Sequence, residues 1–414
     1  METETQNQTV TTKQPLSRDF WLFWAGQTIS SLGSSFTTFA LPLLVFKLTG
    51  SALNLALTTA AGFLPYLFFG LIIGAWVDRT NRKQVMIWTD VARALVIAAL
   101  PVLGLFGLLS VWWVYLGTFI NTTLTIFFNS AEFAAIPSLV NKDDLVEANG
   151  RIQASFSAAN VLGPLLAGLL VSFMAVEDVL FFDSASFLIS TLLLTLIKKK
   201  LVADRTKEPT SLRKDIVEGL RYVLGHPVLR NISLMMAMVN FLASTTGAQL
   251  VFFAKERFQA DDFEISLLFS VGSVGIVVLS LTAGWLRKRF SFSKVALTSL
   301  ALNGLFIILI SFTPWLWLAL PMWGLASGLG ILFNINTGSL RQTIVPNHLL
   351  GRVMSIAGVL AWSAIPVGAF LGGLAIEWTK NVALVYGIIG FWMVIIPLCF
   401  AFSPLRHAED YLSK

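Results

Sequence analysis

GLIIGAWVDRTNRKQVMIW, residues 70–88, is an apolar run that breaks at a glycine-led charged turn and resumes as a second apolar run. Extended in both directions, the two runs cover 52–77 and 84–107. Each is longer than the ~20 residues a helix needs to cross the hydrocarbon core of a bilayer. Neither alternates with the period of two that a transmembrane barrel strand requires. Asp78, Arg79, Arg82 and Lys83 crowd into the short connection between them. This is the pattern of two membrane-crossing helices joined at the interface.

The rest of the chain repeats it. Of 414 residues, 56% are apolar and 13% charged, about half the charge of a soluble protein. Further apolar segments lie at 20–46, 111–139, 148–173, 178–197, 231–254, 264–286, 294–313, 315–338, 350–376 and 382–403. With the first two they predict an all-α integral membrane protein of twelve transmembrane helices. A polar stretch with Lys198–Lys200 and an amphipathic piece near Ile216–Leu224 separates two sets of six. The expected organisation is an N-terminal tail (1–18), a six-helix bundle (19–197), a central loop (198–230), a second bundle (231–403) and a C-terminal tail (404–414). Twenty-four Lys and Arg fall on the tails and even-numbered connections; only Lys47, Lys255, Arg257 and Lys380 fall on the other side, and Arg93 lies within a span. Basic residues mark the cytoplasmic side, so both termini are expected in the cytoplasm of a bacterial-type inner membrane. The first 18 residues have no apolar core and do not read as a signal peptide.

Several function classes fall away. The lone cysteine, Cys399, and the isolated His226, His348 and His407 offer no metal-ligand spacing. No zinc-protease, nucleophile-elbow or phosphate-loop pattern occurs, so neither an enzyme nor an ATP-driven pump is expected, and no cofactor. The net charge of +6 is spread over short loops, which speaks against a nucleic-acid partner.

The halves echo each other. Gly150-Arg151 and Gly351-Arg352 are 201 residues apart, and GAWVDR (74–79) pairs with AGWLRK (283–288) at 209. Two related six-helix units with a central loop are a transporter design that binds substrate between the repeats.

The stretch from Gly74 to Lys83 resembles the helix 2–helix 3 loop of the major facilitator superfamily, G-x-x-x-D-R-x-x-R-K. FWLFWAGQTISSLG (20–33) and GSALNLALTTAAGFLPYLFFG (50–70) are similar to the bacterial macrolide-efflux type of drug:proton antiporter. Gly163, Pro164 and Gly168 resemble the helix 5 motif of proton-coupled exporters. The resemblance implies two pseudo-symmetric six-helix bundles, and a gate built on Gly74, Asp78, Arg79 and Arg82. A tight turn followed by an acid suits a helix N-terminus. The resemblance places the start of helix 11 opposite this loop, so Asp78 is expected there beside Arg352 when the cytoplasmic side is closed, and it implies that Glu132 meets Arg82. The plainer reading of these charges is an interfacial anchor. In the second half Arg287 stands where Asp78 does, so any gate there is no copy of the first.

A charge within a span costs at least ~2.5–3.5 kcal/mol, so each needs a reason. Asp90 and Arg93 share one helical face and can pair as a neutral structural unit. Asp183 has Ser184 and Ser186 beside it. Glu132, Asp90 and Asp183, in that order, are the candidates for proton coupling, since apolar burial disfavours the charged form of a carboxylate. Polar stripes run along helix 1 (Gln27, Ser31, Ser34), helix 4 (Asn121, Thr125, Asn129), helix 7 (Asn240, Ser244) and helix 10 (Asn334). Ser and Thr can simply glue helices, but Asn and Gln have more donors and acceptors to satisfy, which favours a water-accessible cavity. Its nearly uncharged, partly aromatic lining suits a bulky amphipathic substrate. The expected activity is export of such compounds by a monomer, and the resemblance, not the residues, implies that protons are exchanged for them. Export or flipping of lysophospholipid, or siderophore export, is the alternative on the same fold, and a membrane enzyme or receptor the distant one.

Overall fold

A computed structural model describes residues 16–77, 80–141, 144–199, 201 and 212–411. Its helices are α1 (Arg18–Thr49), α2 (Ala52–Val77), α3 (Arg82–Leu105), α4 (Val111–Leu139), α5 (Leu145–Leu170), α6 (Leu180–Leu196), α7 (Leu212–Gly225), α8 (Pro227–Ala248), α9 (Leu250–Phe258), α10 (Asp262–Arg289), α11 (Phe292–Phe312), α12 (Leu316–Ile344), α13 (Asn347–Trp362), α14 (Ala364–Thr379) and α15 (Val382–Phe400). Among the described residues no β-strand forms, and 12 helical stretches are long and apolar enough to cross a membrane. At 1.5 Å per residue the 32 residues of α1 span about 48 Å, so this helix tilts or projects beyond a ~30 Å core.

Local chemistry sets the helix ends. Ser17 and Asn81 accept from the third residue beyond them, at 3.2 and 3.3 Å, which satisfies donors a helix start leaves free. Asp261 and Glu264 form a reciprocal capping box opening α10. Gly50, at φ 58°, takes the left-handed turn that closes α1 and admits the tight connection to α2.

Two spans that read as continuous in the sequence are broken. The eleventh divides at Ser363 into α13 and α14, because Pro366 has no N–H for the carbonyl four residues back and its ring crowds that carbonyl. The seventh divides at Gln249 into α8 and α9. Gln249 is fully buried, and its Nε2 donates to the carbonyl of Ala52 at 2.7 Å, at the start of α2.

Each half packs by one scheme. In the first, α1 lies against α5 and α6, α3 against α4 and α6, and α2 against α4. In the second, α8 with α9 takes the place of α1, and α10, α11, α12, α13 with α14, and α15 take those of α2 to α6. The halves meet where α5 packs on α10 and α2 on α14, contacts that the same exchange turns into each other. Close approach is built from glycine. A Cβ on Gly163 would run into Ser35 of α1, and one on Gly368 would stand 2.6 Å from Ser244 Oγ of α8. A Cβ on Gly168 would run into Ser266 of α10, and one on Gly373 would stand 2.6 Å from Ala56 Cβ of α2. Both pairs of glycines are 205 residues apart.

Candidate functional site: a cavity between two ends

A cavity of about 490 Å³ opens within the first half, walled by α1, α4 and α5. Gln27, Ser31, Ser34, Thr125, Asn129 and Glu132 line it, together with Trp24, Phe128, Phe133 and Phe156. A second lobe of about 420 Å³ lies between the halves and is lined by Asn240 and Ser244 of α8, Thr58 and Phe63 of α2, and Phe269 of α10. Thr38 borders both lobes. Asn240 donates to the carbonyl of Ala361 at 3.0 Å, just before the break between α13 and α14. Two expected lining residues lie elsewhere. Asn121 borders neither lobe and keeps a buried Oδ1 without a partner; Asn334 is exposed outside both.

Behind the first lobe sits a buried charge cluster on α1, α3 and α6. Asp183 accepts from Thr37 and, at 3.3 Å each, from Ser34 and Ser186. Ser184, expected to bond it, turns instead to the carbonyl of Ala94 at 2.8 Å. Asp90 pairs with Arg93 at 3.4 Å. The Arg93 guanidinium lies 3.9 Å from the Phe187 ring centroid, with Nη2 3.5 Å from Ser34 Oγ. Arg93 also reaches the cavity wall. Arg93 was expected only as the neutralising partner of Asp90; its long side chain carries the guanidinium from α3 to the cavity wall. The guanidinium thus pairs directly with Asp90, shares Ser34 with Asp183, and lines the same lobe as Glu132. The Glu132 carboxylate has no hydrogen-bond partner among the described residues. Arg82 does not meet it; its Nη1 donates to the Ala134 carbonyl at 2.8 Å, two residues and ~200° of helical rotation from the face bearing Glu132.

The two ends of the molecule differ. At the end where α1 meets α2 and α9 meets α10, contacts cross between the halves. Lys47 of α1 is 2.6 Å from Asp262 of α10, and Lys255 of α9 is 2.7 Å from the same carboxylate. Ser51 donates to Glu377 at 2.7 Å, alongside the Gln249–Ala52 bond. We term this the clasp end. At the opposite end, bearing the α2–α3 and α4–α5 turns, the first lobe is open past Phe133 and Phe156, which are 81% and 52% exposed. Tyr66 and Trp362 make an edge contact across the halves at 6.1 Å on this side. Asp78, Arg79 and the side chain of Arg352 lie outside the described residues, so the expected latch does too. Gly74 falls in the last turns of α2. The clasp was missed in the sequence because Lys47 and Lys255 served there only to count charge by side.

The model of one family, described as transmembrane secretion effector, matches residues 10–413. The chain belongs to that family, within the major facilitator superfamily. As a member of it, the chain is an efflux-type transporter. It is 26% identical over 370 residues to macrolide efflux protein A of Streptococcus pyogenes, covering 86% of this chain and 88% of that protein. It is 29% identical over 400 residues to the multidrug efflux pump Tap of Mycolicibacterium fortuitum, covering 92% and 95%. Solved structures share the major facilitator fold at low identity. The nucleoside transporter NupG superposes with a TM-score of 0.76 at 13% identity over 95% of this chain and 100% of that one. A bacterial homologue of the iron transporter ferroportin in an inward-facing state gives 0.74 at 17% over 94% and 100%. In this major facilitator transporter, the glycines of the helix 5 motif do mechanical work. Gly163 lets α5 lie on α1, and Gly168 lets it lie on α10 across the halves.

Proposed function

We propose that this transporter exports bulky amphipathic compounds of the macrolide or multidrug kind, by alternating access coupled to proton entry. The observation that carries the reading is a carboxylate without a hydrogen-bond partner among the described residues, Glu132, on the wall of an amide- and aromatic-lined cavity reached from one end, while the Lys47–Asp262 ion pair bridges the halves at the other. The names of the relatives point to the same cargo. The excess of Lys and Arg at the open end makes it the cytoplasmic one, with both termini on that side, and the protein works as a monomer.

The mechanism follows from charge. With Asp90, Asp183 and Glu132 all ionised around Arg93, the cluster carries a surplus of negative charge in a low-dielectric setting. A proton relieves that surplus, and so does a weakly cationic substrate beside Glu132. Proton release at the open end then accompanies cargo entry, and reprotonation follows when the clasp end opens. On that reorientation the halves close over the motif turn, where Asp78 meets the start of α13 and Arg352 as a latch.

The test is transport in proteoliposomes with an imposed pH gradient, offering a macrolide, a cationic dye and a lysophospholipid in parallel. Gradient-dependent movement of the first two supports the reading. Transport unchanged on collapsing the gradient removes the antiport mechanism, and movement of the lysophospholipid alone reassigns the cargo.

A further inference from the structure

The second half carries a groove that shares no residue with either cavity lobe. At the clasp end, a hollow of about 670 Å³ runs along the outside of α11 and α15. Phe312, Leu384, Ile388, Phe391 and Trp392 line it and are 49–75% exposed to the surroundings of the protein. On helices that cross a bilayer, those surroundings are acyl chains. Gly387 deepens the floor, since a Cβ there would stand 3.2 Å from Ser311 Oγ.

One end of the groove is charged. Arg257, near the end of α9, donates through Nε to the carbonyl of Thr313 at 3.3 Å and through Nη2 to that of Phe312 at 3.1 Å. Those bonds fix the guanidinium at the mouth of the groove and leave further N–H donors uncommitted. No carboxylate lies within salt-bridge distance of it among the described residues. Trp315 and Trp378, exposed at 67% and 83% just beyond α11 and near the end of α14, mark this level as the membrane–water interface. A fixed guanidinium at headgroup depth, above a chain-sized apolar trough, matches a molecule with a phosphate at one end and hydrocarbon at the other.

We propose that this groove is a binding site for one glycerophospholipid of the leaflet on the clasp side, with an acyl chain along α11 and α15 and its phosphate on Arg257. The lipid is a fixed companion of the fold rather than cargo, because both cavity lobes lie elsewhere.

Native mass spectrometry of the purified full-length protein tests it, with phosphatidylglycerol, phosphatidylethanolamine and diacylglycerol titrated separately. The expected result is one retained phospholipid of either headgroup and about tenfold weaker retention of diacylglycerol, which lacks the phosphate. Arg257→Gln should lower phospholipid retention by about tenfold, the loss of one charge-assisted contact. Ala383→Trp, which fills the trough without touching the charge, should lower retention of all three. Retention unchanged in both variants, or diacylglycerol held as well as the phospholipids, would overturn the proposal and leave Arg257 as a cap on the end of α11.

Discussion

Asp262, the first residue of α10, is gripped from both halves at once, by Lys47 of α1 at 2.6 Å and by Lys255 of α9 at 2.7 Å. Only the first of these pairs joins the halves. Both are partly exposed, so each is worth no more than ~1 kcal/mol. Asp262→Asn should therefore move the population toward opening at the clasp end by roughly fivefold. Spin labels on Leu48 and Trp378 would show this as a longer distance component. Lys255→Met, which breaks a pair within one half, should shift the distribution less. An unaltered distance distribution in Asp262→Asn would mean the clasp does not hold the state.

Arg93 is expected to matter more for folding than its partner count implies. Asp90 is fully buried, and removing the cation from a buried pair typically costs ~3–5 kcal/mol because it strands the other charge. Arg93→Gln should lower thermal stability in detergent markedly, whereas Asp90→Asn with Arg93→Gln should recover much of the loss. Equal melting of the single and double variants would show that the pair is not coupled.

The glycines at the interface between halves make a symmetric prediction. Gly168→Ala would drive a methyl into Ser266, and Gly373→Ala would drive one into Ala56. Overpacking of this kind costs ~1–3 kcal/mol, here charged to the conformation closed at the clasp end. Each variant should lose transport, and Ser266→Gly or Ala56→Gly should restore its own partner. Failure of both rescues would refute the close approach.

Glu132→Gln should behave in the opposite way to Arg93→Gln. With no hydrogen bond to lose and one negative charge removed from a cluster that has a surplus, the variant is expected to be at least as stable as the parent. Gradient-driven transport should nevertheless disappear. If drug movement in Glu132→Gln still follows the pH gradient, the proton is carried by Asp90 or Asp183.

The spans were legible because an apolar run of ~20 residues admits few other readings. The breaks at Gln249 and Ser363 were not, since a proline three residues after the break and a buried glutamine look like ordinary features of a membrane helix. Repeat offsets of 201 and 209 bracketed the 205 that relates the packing glycines; loops of unequal length blur the register that the helices keep. Of the site, spacing pointed to the lining residues of α1 and α8 and to Thr125 and Asn129 of α4, though not to the absence of Asn121 from the wall. Arg93 was not, because its side chain reaches past its own helix. The clasp was not either, because its members lie 215 and 7 residues apart, at helix ends that only the fold brings together.

Among the described residues, every ionisable group of the cavity belongs to the first half, and the second contributes amides, hydroxyls and hydrocarbon. Under the proposed mechanism the groups that take up the proton therefore all belong to one half, whereas the cargo meets walls from both. Under the same proposal, a change at Asn240 or Ser244 of α8 reshapes the wall that meets the cargo and leaves the proton-carrying groups untouched, so selectivity and powering can vary independently.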